Sequence, residues 1–353
     1  MDTLTHGLAG ALLGRAAAKE KVRAAVAIAT VAAMFPDCDA FFMPGSLPFT
    51  LGTTLSYIEY HRGVTHSFLM APLFAAAMAG VAKIFARRAR FAALWGFALL
   101  GIVSHILSDW ITSYGTMFFS PLSWKRYSLD WVFILDPFFT GILVVFLVLA
   151  FAFRRRNARA ISAAGALLLF AYIGFCALQH ARALRLARGL VPAPAPASCA
   201  ALPQPFSPFR WALFADSGDS IAVEYVDIGP FARVVSKPPA PRSGWSVIGS
   251  LPDYYPPPRQ ARPRIFANRE DDFAVAAAKS FPDVRRWLRF ARFPVARCEP
   301  AGGGNRRVTW IDLRFRGPWG RTAFEYEAIV SPEGRELTSG FVRVFVTGEG
   351  RRR

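Results

Sequence analysis

Four long apolar runs constrain the fold of this chain more than any other feature. Each is close to the roughly 20 residues that a helix needs to cross a bilayer. They are Phe68–Ala86, Phe91–Ile111, Val132–Phe153 and Ala160–Leu178. The chain is 53% hydrophobic and only 19% charged, which excludes a disordered protein and is too apolar for an ordinary soluble enzyme. We therefore predict an α-helical polytopic membrane domain, assigned to residues 1–190.

Two shorter apolar runs, Leu4–Ala18 and Val22–Phe35, precede these four spans. The polar turn Lys19-Glu20-Lys21 separates them. This pattern fits a tight hairpin of short helices or a re-entrant pair, and we favour the hairpin. The N-terminus lacks the basic region of a cleaved signal peptide, so we expect the first run to be retained.

Basic residues concentrate in alternate turns of this domain. These turns hold 12 of the 18 Lys and Arg in residues 1–200, whereas the opposite turns hold seven of the eight Asp and Glu and four histidines. Because cytoplasmic loops retain Lys and Arg, we predict a multi-pass protein of the bacterial inner membrane with its acidic side outside the cytoplasm. The net charge of +18 forms no dense basic stripe, so no nucleic-acid partner is predicted. The oligomeric state is left open.

A second, smaller domain follows the membrane domain. Residues 191–208 are rich in Pro and Ala and predict an extended linker. Residues 209–353 predict a soluble α+β domain outside the cytoplasm, with a helical segment over Asp271–Phe293 that breaks at Pro282. Its predicted strands are Trp211–Phe214, Ile221–Val226, Arg307–Phe315, Thr322–Val330 and Gly340–Val346. Cys199 and Cys298 could pair as a disulfide there, and two free thiols are the open alternative.

Histidine and aspartate recur in four short segments of the membrane domain: Asp2–His6, Pro36–Asp39, His61–Ser67 and His105–Asp109. Imidazole and carboxylate together suit zinc, manganese or iron. On a helix, residues four apart share a face, which places Asp2 beside His6 and His105 beside Asp109. We predict a site for one or two divalent transition-metal ions, with zinc preferred. The predicted ligands are His6, Asp37, His61, His66, His105 and Asp109.

Three further residues are candidates for catalysis rather than for metal binding. Asp39 or Asp136 is predicted to accept a proton, and Arg62 to hold a developing oxyanion. Structural alternatives stay open for each: Asp39 caps a turn, Asp136 marks a helix break before Pro137, and Arg62 contacts a lipid headgroup.

These segments, in this order, resemble the bacterial membrane-bound metal-dependent hydrolase family, also known as domain of unknown function 457. The resemblance covers residues 1–140 and includes Tyr114-Gly-Thr116 and Asp136-Pro137. It implies an inner-membrane protein with metal-dependent hydrolase activity, and it does not supply a substrate. A fainter similarity to zinc-dependent phospholipase C lacks that family's full ligand set.

Together, the residues and the resemblance predict a membrane-embedded metal-dependent hydrolase. Its expected substrate is an ester or phosphoester of a lipid or envelope component at the outer face, and membrane lipid is its expected partner. The alternative is a non-catalytic, metal-stabilised scaffold that presents the second domain outside the cytoplasm. A transport path is disfavoured, because the cytoplasmic halves of the spans carry almost only Ala, Leu, Phe and Gly.

Overall fold

The computed structural model describes residues 1–19, 22–42, 55–153, 157–190, 198–234, 251–260, 262–268, 272–320, 322 and 324–342. The chain divides into two compact units. The first comprises Met1–Phe42, Tyr60–Arg185 and Ala201–Ala212, and the second comprises Met43–Glu59, Leu186–Ala200 and Leu213–Arg353. The Pro/Ala-rich residues 191–197 lie outside the described residues, so the linker stays a prediction there.

The first half of the chain is mainly helical in its described part, with a non-helical segment at residues 111–136. Its helices are α1 (Thr3–Ala17), α2 (Val22–Met34), α3 (Asp39–Phe42), α4 (Leu55–Tyr60), α5 (Ala71–Phe85), α6 (Phe91–Trp110), α7 (Pro137–Ala152) and α8 (Ala158–Ala187). Short 3₁₀ turns lie at Phe35–Cys38 and Val64–His66. Helices therefore stand at all four predicted spans and at both shorter runs, which confirms the predicted helical membrane domain.

The helices differ in whether they can span a membrane alone. Only α6, with 20 residues, and α8, with 30, are long and apolar enough in the described part of the chain. A third crossing needs α5 joined to Leu55–His66, which meet at a bend of 74°. Helix α7 is shorter than predicted because Pro137 has no N–H and starts the helix, so residues 132–135 precede it.

Close helix contacts align the ends of α1, α2 and α6. A Cβ on Gly10 of α1 or on Gly101 of α6 would lie 2.4 Å from the carbonyl oxygen of Ala29 in α2. Glycine is required at these two positions because the backbones approach so closely. Helices α1 and α2 run antiparallel, as predicted for the hairpin, so the start of α1 lies beside the end of α2.

The second half of the chain forms two four-stranded sheets. One has the order β1 (Ser198–Pro203), β2 (Arg210–Asp216), β3 (Ser220–Asp227), β4 (Arg264–Ala267). The other has the order β5 (Pro294–Gly302), β6 (Asn305–Asp312), β7 (Glu325–Val330), β8 (Glu336–Phe341), with every neighbouring pair antiparallel. With the helices α9 (Phe273–Ala278) and α10 (Pro282–Phe290), they confirm the predicted α+β class.

Helix α10 packs through one face. Its buried residues Val284, Trp287 and Phe290 are three apart, as expected for an amphipathic helix against a sheet. Trp287 stacks on Tyr326 of β7 with ring centroids 6.3 Å apart. The predicted break at Pro282 is confirmed, since this residue starts α10.

Several details differ from the predictions for this half. Strand β1 begins inside the predicted linker, because residues 200–202 bury their side chains in a sheet. Strands β4 and β5 were not predicted, and β8 ends at Phe341, while residues 343–346 of the predicted last strand lie outside the described residues.

The possible disulfide does not form. Cys199 and Cys298 are both free thiols. They lie in different sheets, and each faces another group: Cys298 Sγ accepts from Arg306 Nε at 3.2 Å, and Cys199 Sγ lies 3.9 Å from the Ala187 carbonyl oxygen.

Candidate metal centre

Five of the predicted ligands meet in the first unit. His6 comes from α1, Asp37 from the 3₁₀ turn after α2, His66 from the turn before α5, and His105 and Asp109 from the last two turns of α6. One ligand atom from each of His6, Asp37, His105 and Asp109 lies within 4.8 Å of the others. We call these five residues the metal cluster.

The atoms of the metal cluster are closely and evenly spaced. The Nε2 atoms of His66 and His105 lie 3.0 Å apart, and each lies 3.4 Å from Asp109 Oδ2. Asp37 Oδ1 lies 3.6 Å from His66 Nε2 and 3.5 Å from His105 Nε2. The predicted pairing of His105 with Asp109 on one helical face is thus confirmed.

Hydrogen bonds fix which nitrogen of each imidazole faces the centre of the cluster. His105 Nδ1 donates to the carbonyl oxygen of Ala33 at 2.7 Å. His66 Nδ1 donates to Thr65 Oγ1 at 2.9 Å, and that hydroxyl donates to Asp39 Oδ2 at 3.1 Å. In the neutral imidazoles, both Nε2 atoms therefore present lone pairs to each other.

This spacing fits one bound cation. Two ligands held about 2.0–2.2 Å from zinc in a tetrahedral site lie roughly 3.4 Å apart. Asp109 Oδ2 and His6 Nδ1 are buried and have no hydrogen-bond partner among the described residues. Buried polar atoms are nearly always satisfied, so these atoms are available to coordinate an ion.

Arg62 holds the other oxygen of Asp109. Its Nη2 lies 2.8 Å from Asp109 Oδ1, and its Nη1 donates to Thr112 Oγ1 at 3.0 Å. Asp109 Oδ1 also lies 3.2 Å from His6 Nε2 and contacts the nitrogen of Met1. Arg62 is 2% exposed, and its φ of 63° is unusual for a non-glycine residue. Its partners are within the protein, so the alternative of a lipid-headgroup contact is not supported.

Asp39 and His61 form a layer around the metal cluster. Asp39 Oδ1 accepts from His61 Nδ1 at 2.9 Å, while Oδ2 accepts from the Arg62 amide at 3.2 Å and from Thr65. Carboxylates that hold imidazoles in this way fix ring orientation and tautomer. Asp39 therefore orients two histidines, His61 directly and His66 through Thr65.

The two carboxylates after α2 are held in the ionised form. Burial alone would raise the pKa of Asp37, but His66, His105 and His6 hold it below the usual value. Burial would also raise the pKa of Asp39, but the hydrogen bond from His61 holds that pKa below its usual value. Ionised carboxylates at neutral pH are the form that binds a cation.

Among the residues of the metal cluster, Asp37 has the most exposed side chain. Its side chain is 15% exposed and that of His61 is 11% exposed, whereas His66, His105 and Asp109 are fully buried. The loop after α6 covers the site: the Met117 amide donates to the Arg62 carbonyl at 2.9 Å, and Tyr114 lies under the Arg62 guanidinium at 4.8 Å.

Three predicted positions differ from the sequence-based hypothesis. His61 is outside the group of ligand atoms that lie within 4.8 Å of one another, and its Nδ1 is bound to Asp39. Asp136 caps α7, accepting from the Phe138 and Phe139 amides at 2.8 Å and from the Tyr172 hydroxyl at 2.8 Å, as its helix-break alternative allowed. The carboxylate of Asp2 does not pair with His6 but caps α1 at the Thr5 amide.

Four further groups support the site and were not predicted. Thr3 donates to Asp37 Oδ2 at 2.6 Å, Thr65 connects His66 to Asp39, and Thr112 binds Arg62. Thr3 lies in the segment Asp2–His6 and Thr65 in the segment His61–Ser67, so their positions could have indicated a supporting role. The fourth group, the carbonyl of Ala33, carries no signal in the side-chain sequence.

Comparison with known proteins identifies a membrane family. Residues 1–183 match the family described as YdjM inner membrane protein. The chain is 33% identical over 146 residues to "Uncharacterized protein YfhP" of Bacillus subtilis (strain 168), a match that covers 39% of this chain and 42% of that relative. The chain thus spans less than half the length of this curated relative. No solved structure matches.

The match includes every residue of the metal cluster, and the family description names the inner membrane but neither a reaction nor a metal. The predicted resemblance is supported to that extent. Because the match extends over more than half of the sequence, the chain belongs to the YdjM inner membrane protein family.

Proposed function

We propose that this protein binds a divalent transition metal, preferably zinc, through the metal cluster and hydrolyses an ester or phosphoester bond. The observation that carries the proposal is the 3.0 Å separation of His66 Nε2 and His105 Nε2. Two buried imidazole nitrogens at that distance need either a proton on one of them or a cation between them, and the metal takes the place of that proton in this proposal. Asp37 and Asp109 supply the negative charge that a dication needs.

A zinc ion bound there supplies Lewis acidity for the polarisation of an ester or phosphoester oxygen. Arg62 keeps Asp109 oriented by holding Oδ1, which leaves Oδ2 facing the cluster. The Nε of Arg62 is buried and has no hydrogen-bond partner among the described residues, so it is available to a developing negative charge.

His61 is the proposed general base: it takes the proton of the water that attacks the ester or phosphoester, and returns it to the alcohol that leaves when the ester bond breaks. The sequence assigned this role to Asp39 or Asp136. Asp39 accepts the Nδ1 proton of His61, which leaves the basic lone pair on Nε2. This imidazole lies at the partly exposed side of the cluster, where a substrate enters. Asp39 acts as its positioning residue, and Asp136 has no catalytic role in this proposal.

The proposed substrate is a lipid or envelope component, because the cluster lies among helices of an inner membrane protein. We place the cluster and the second half of the chain outside the cytoplasm. The basic turns support this orientation, since they lie at the opposite ends of the helices from His6, Asp37 and His105.

Hydrolysis of a panel of lipid esters and phosphoesters by the purified protein in lipid tests the enzyme proposal. We expect a chelator to abolish turnover and zinc to restore it. His61→Gln should retain the metal and lower kcat by about 10²–10⁴-fold, as for the loss of a general base. His180→Gln, a change of the one histidine outside the site segments, should leave kcat unchanged.

The scaffold alternative is favoured by one observation, the complete burial of His66, His105 and Asp109. Structural metal sites are closed in this way. Two results together would favour the scaffold over the enzyme. The fully metallated protein would cleave no member of the panel, and it would unfold when chelator removes the metal.

A further inference from the structure

A second candidate site lies at the other end of the membrane helices. A cavity of about 630 Å³ opens between the start of α2 and the turn that joins α5 to α6. Three arginines line it: Arg23 from α2, and Arg87 and Arg88 from the turn. All three are exposed. Lys83 fixes this turn by donating to the Arg87 carbonyl at 2.8 Å.

An apolar groove continues from this cavity. It also measures about 630 Å³ and runs between α2 and α5. Every residue along it is a hydrocarbon, aromatic or thioether side chain, with Val31, Met78 and Val81 among them. The groove and the arginine-lined cavity share Ala24, Phe85 and Ala86, so they are continuous.

The arginine end of the combined site is distant from the metal cluster, although the groove extends along α2 as far as Phe35. Arg23 is at the start of α2 and Asp37 follows its end, and the helix between them spans 13 residues. At about 1.5 Å per residue this separates the arginines from the cluster by roughly 20 Å along the helix. The arginines therefore cannot serve the reaction centre directly.

Its chemistry matches one class of ligand. Guanidinium groups bind phosphate through two parallel hydrogen bonds, and basic residues at a membrane surface attract anionic lipids. The apolar groove that leaves the arginines has the polarity of an acyl chain. A water-soluble anion would use the first cavity and not the second, whereas a phospholipid would fill both.

We propose that this surface is a binding site for an anionic phospholipid, with the phosphate between Arg23 and Arg87 and one acyl chain in the groove between α2 and α5. This site is independent of the proposed hydrolase function. Because the phosphate lies at the end of the helices away from the metal cluster, the bound lipid is a structural ligand rather than the substrate.

Native mass spectrometry of the full chain in detergent tests this site. Phosphatidylglycerol is titrated against phosphatidylcholine with the same acyl chains, and inorganic phosphate and glycerol 3-phosphate are added as competitors. We expect preferential binding of phosphatidylglycerol, a loss of about tenfold or more in affinity in Arg23→Gln/Arg87→Gln, and no competition by either soluble phosphate.

Two matched controls separate this site from general contact with lipid. Arg90→Gln changes an exposed arginine of the same turn that does not line the cavity, and it should retain the affinity. Ala77→Phe fills the groove and should weaken binding, whereas Ala164→Phe, on an exposed face of α8, should not. Equal binding of the two lipids would contradict the proposal. So would an equal loss of phosphatidylglycerol affinity in Arg23→Gln/Arg87→Gln and in Arg90→Gln. Full competition by inorganic phosphate would reduce the site to an anion pocket and overturn it as well.

Discussion

His66 Nε2 and His105 Nε2 lie 3.0 Å apart, and hydrogen bonds at the opposite ring nitrogens orient both rings so that the two Nε2 atoms face each other. Asp37 and Asp109 complete the group from two sides. The four residues come from three separate segments of chain, so the arrangement depends on how α2, the turn before α5 and α6 pack together.

Arg62→Gln should destabilise the membrane unit. The change removes the guanidinium that pairs with buried Asp109, and breaking one half of a buried ion pair costs about 3–5 kcal/mol. Thermal unfolding followed by circular dichroism in detergent measures the effect. Arg90→Gln, an exposed change, is the control; an equal midpoint for both variants would show that the buried pair does not stabilise the fold.

Asp39→Asn should weaken metal binding without removing a ligand. Asp39 orients His61 directly and His66 through Thr65, and loss of such a partner costs about 10–100-fold in metal affinity. Competition with a fluorescent zinc chelator gives the dissociation constant. An unchanged constant would mean that the imidazoles are oriented without this carboxylate.

Gly101→Ala should destabilise the packing of α6 on α2 by about 1–3 kcal/mol, because the added Cβ meets the Ala29 carbonyl oxygen. Gly96 lies in the same helix with nothing within 4 Å of the corresponding position. Gly96→Ala should therefore stabilise the helix by about 0.5–1 kcal/mol. Melting midpoints that shift in the same direction in both variants would contradict the close approach of these helices.

Much of the first half was predictable from sequence because its signals are local. Apolar runs located the helices, and spacing of four paired His105 with Asp109. The role of Asp136 was not fixed, since capping and catalysis use the same carboxylate and only its partners, the Phe138 and Phe139 amides, distinguish them. The layer of Asp39 and His61 depends on contacts between segments and has no periodic signature.

The second half was less predictable because its strands obtain their partners from distant segments. Strand β4 is four residues long and pairs with β3 across the 36 residues between Asp227 and Arg264. Strand β1 was assigned to the linker because prolines surround it. The free thiols of Cys199 and Cys298 likewise follow from the separate sheets that hold them, which the sequence does not reveal.

Glu224 should make the second unit more stable at acidic pH. Burial in β3 raises the pKa of this carboxyl from 4.5 to about 7, opposed by hydrogen bonds from the Arg262 and Tyr225 amides. The folded state therefore favours the protonated form. The contribution of Glu224 to the free energy of unfolding is complete below pH 4.5 and is lost as the pH rises through about 7. The free energy of unfolding changes by about 1–3 kcal/mol over this range.

Hydrogen–deuterium exchange of the β3 amides, corrected for intrinsic rates, measures this dependence. The protection is compared at about pH 5 and about pH 8, on either side of the transition. We expect lower protection at the higher pH. Glu224→Gln should remove most of the dependence. A protection profile that is flat in the wild type, or identical in the variant, would exclude Glu224 as the titrating group.

Reporter fusions test the proposed orientation. Alkaline phosphatase fused after Arg353 should be active, and the same enzyme fused after Arg88, in a basic turn, should be inactive. The reverse pattern would place the metal cluster on the cytoplasmic side.

The metal content of the purified protein tests the central claim most directly. Elemental analysis after mild purification should find about one zinc or other transition-metal ion per chain in the wild type and in His180→Ala, and almost none in His66→Ala/His105→Ala. Circular dichroism should confirm that all three proteins remain helical. Equal metal in folded wild type and folded double variant, or none in either after reconstitution with zinc, would contradict the account.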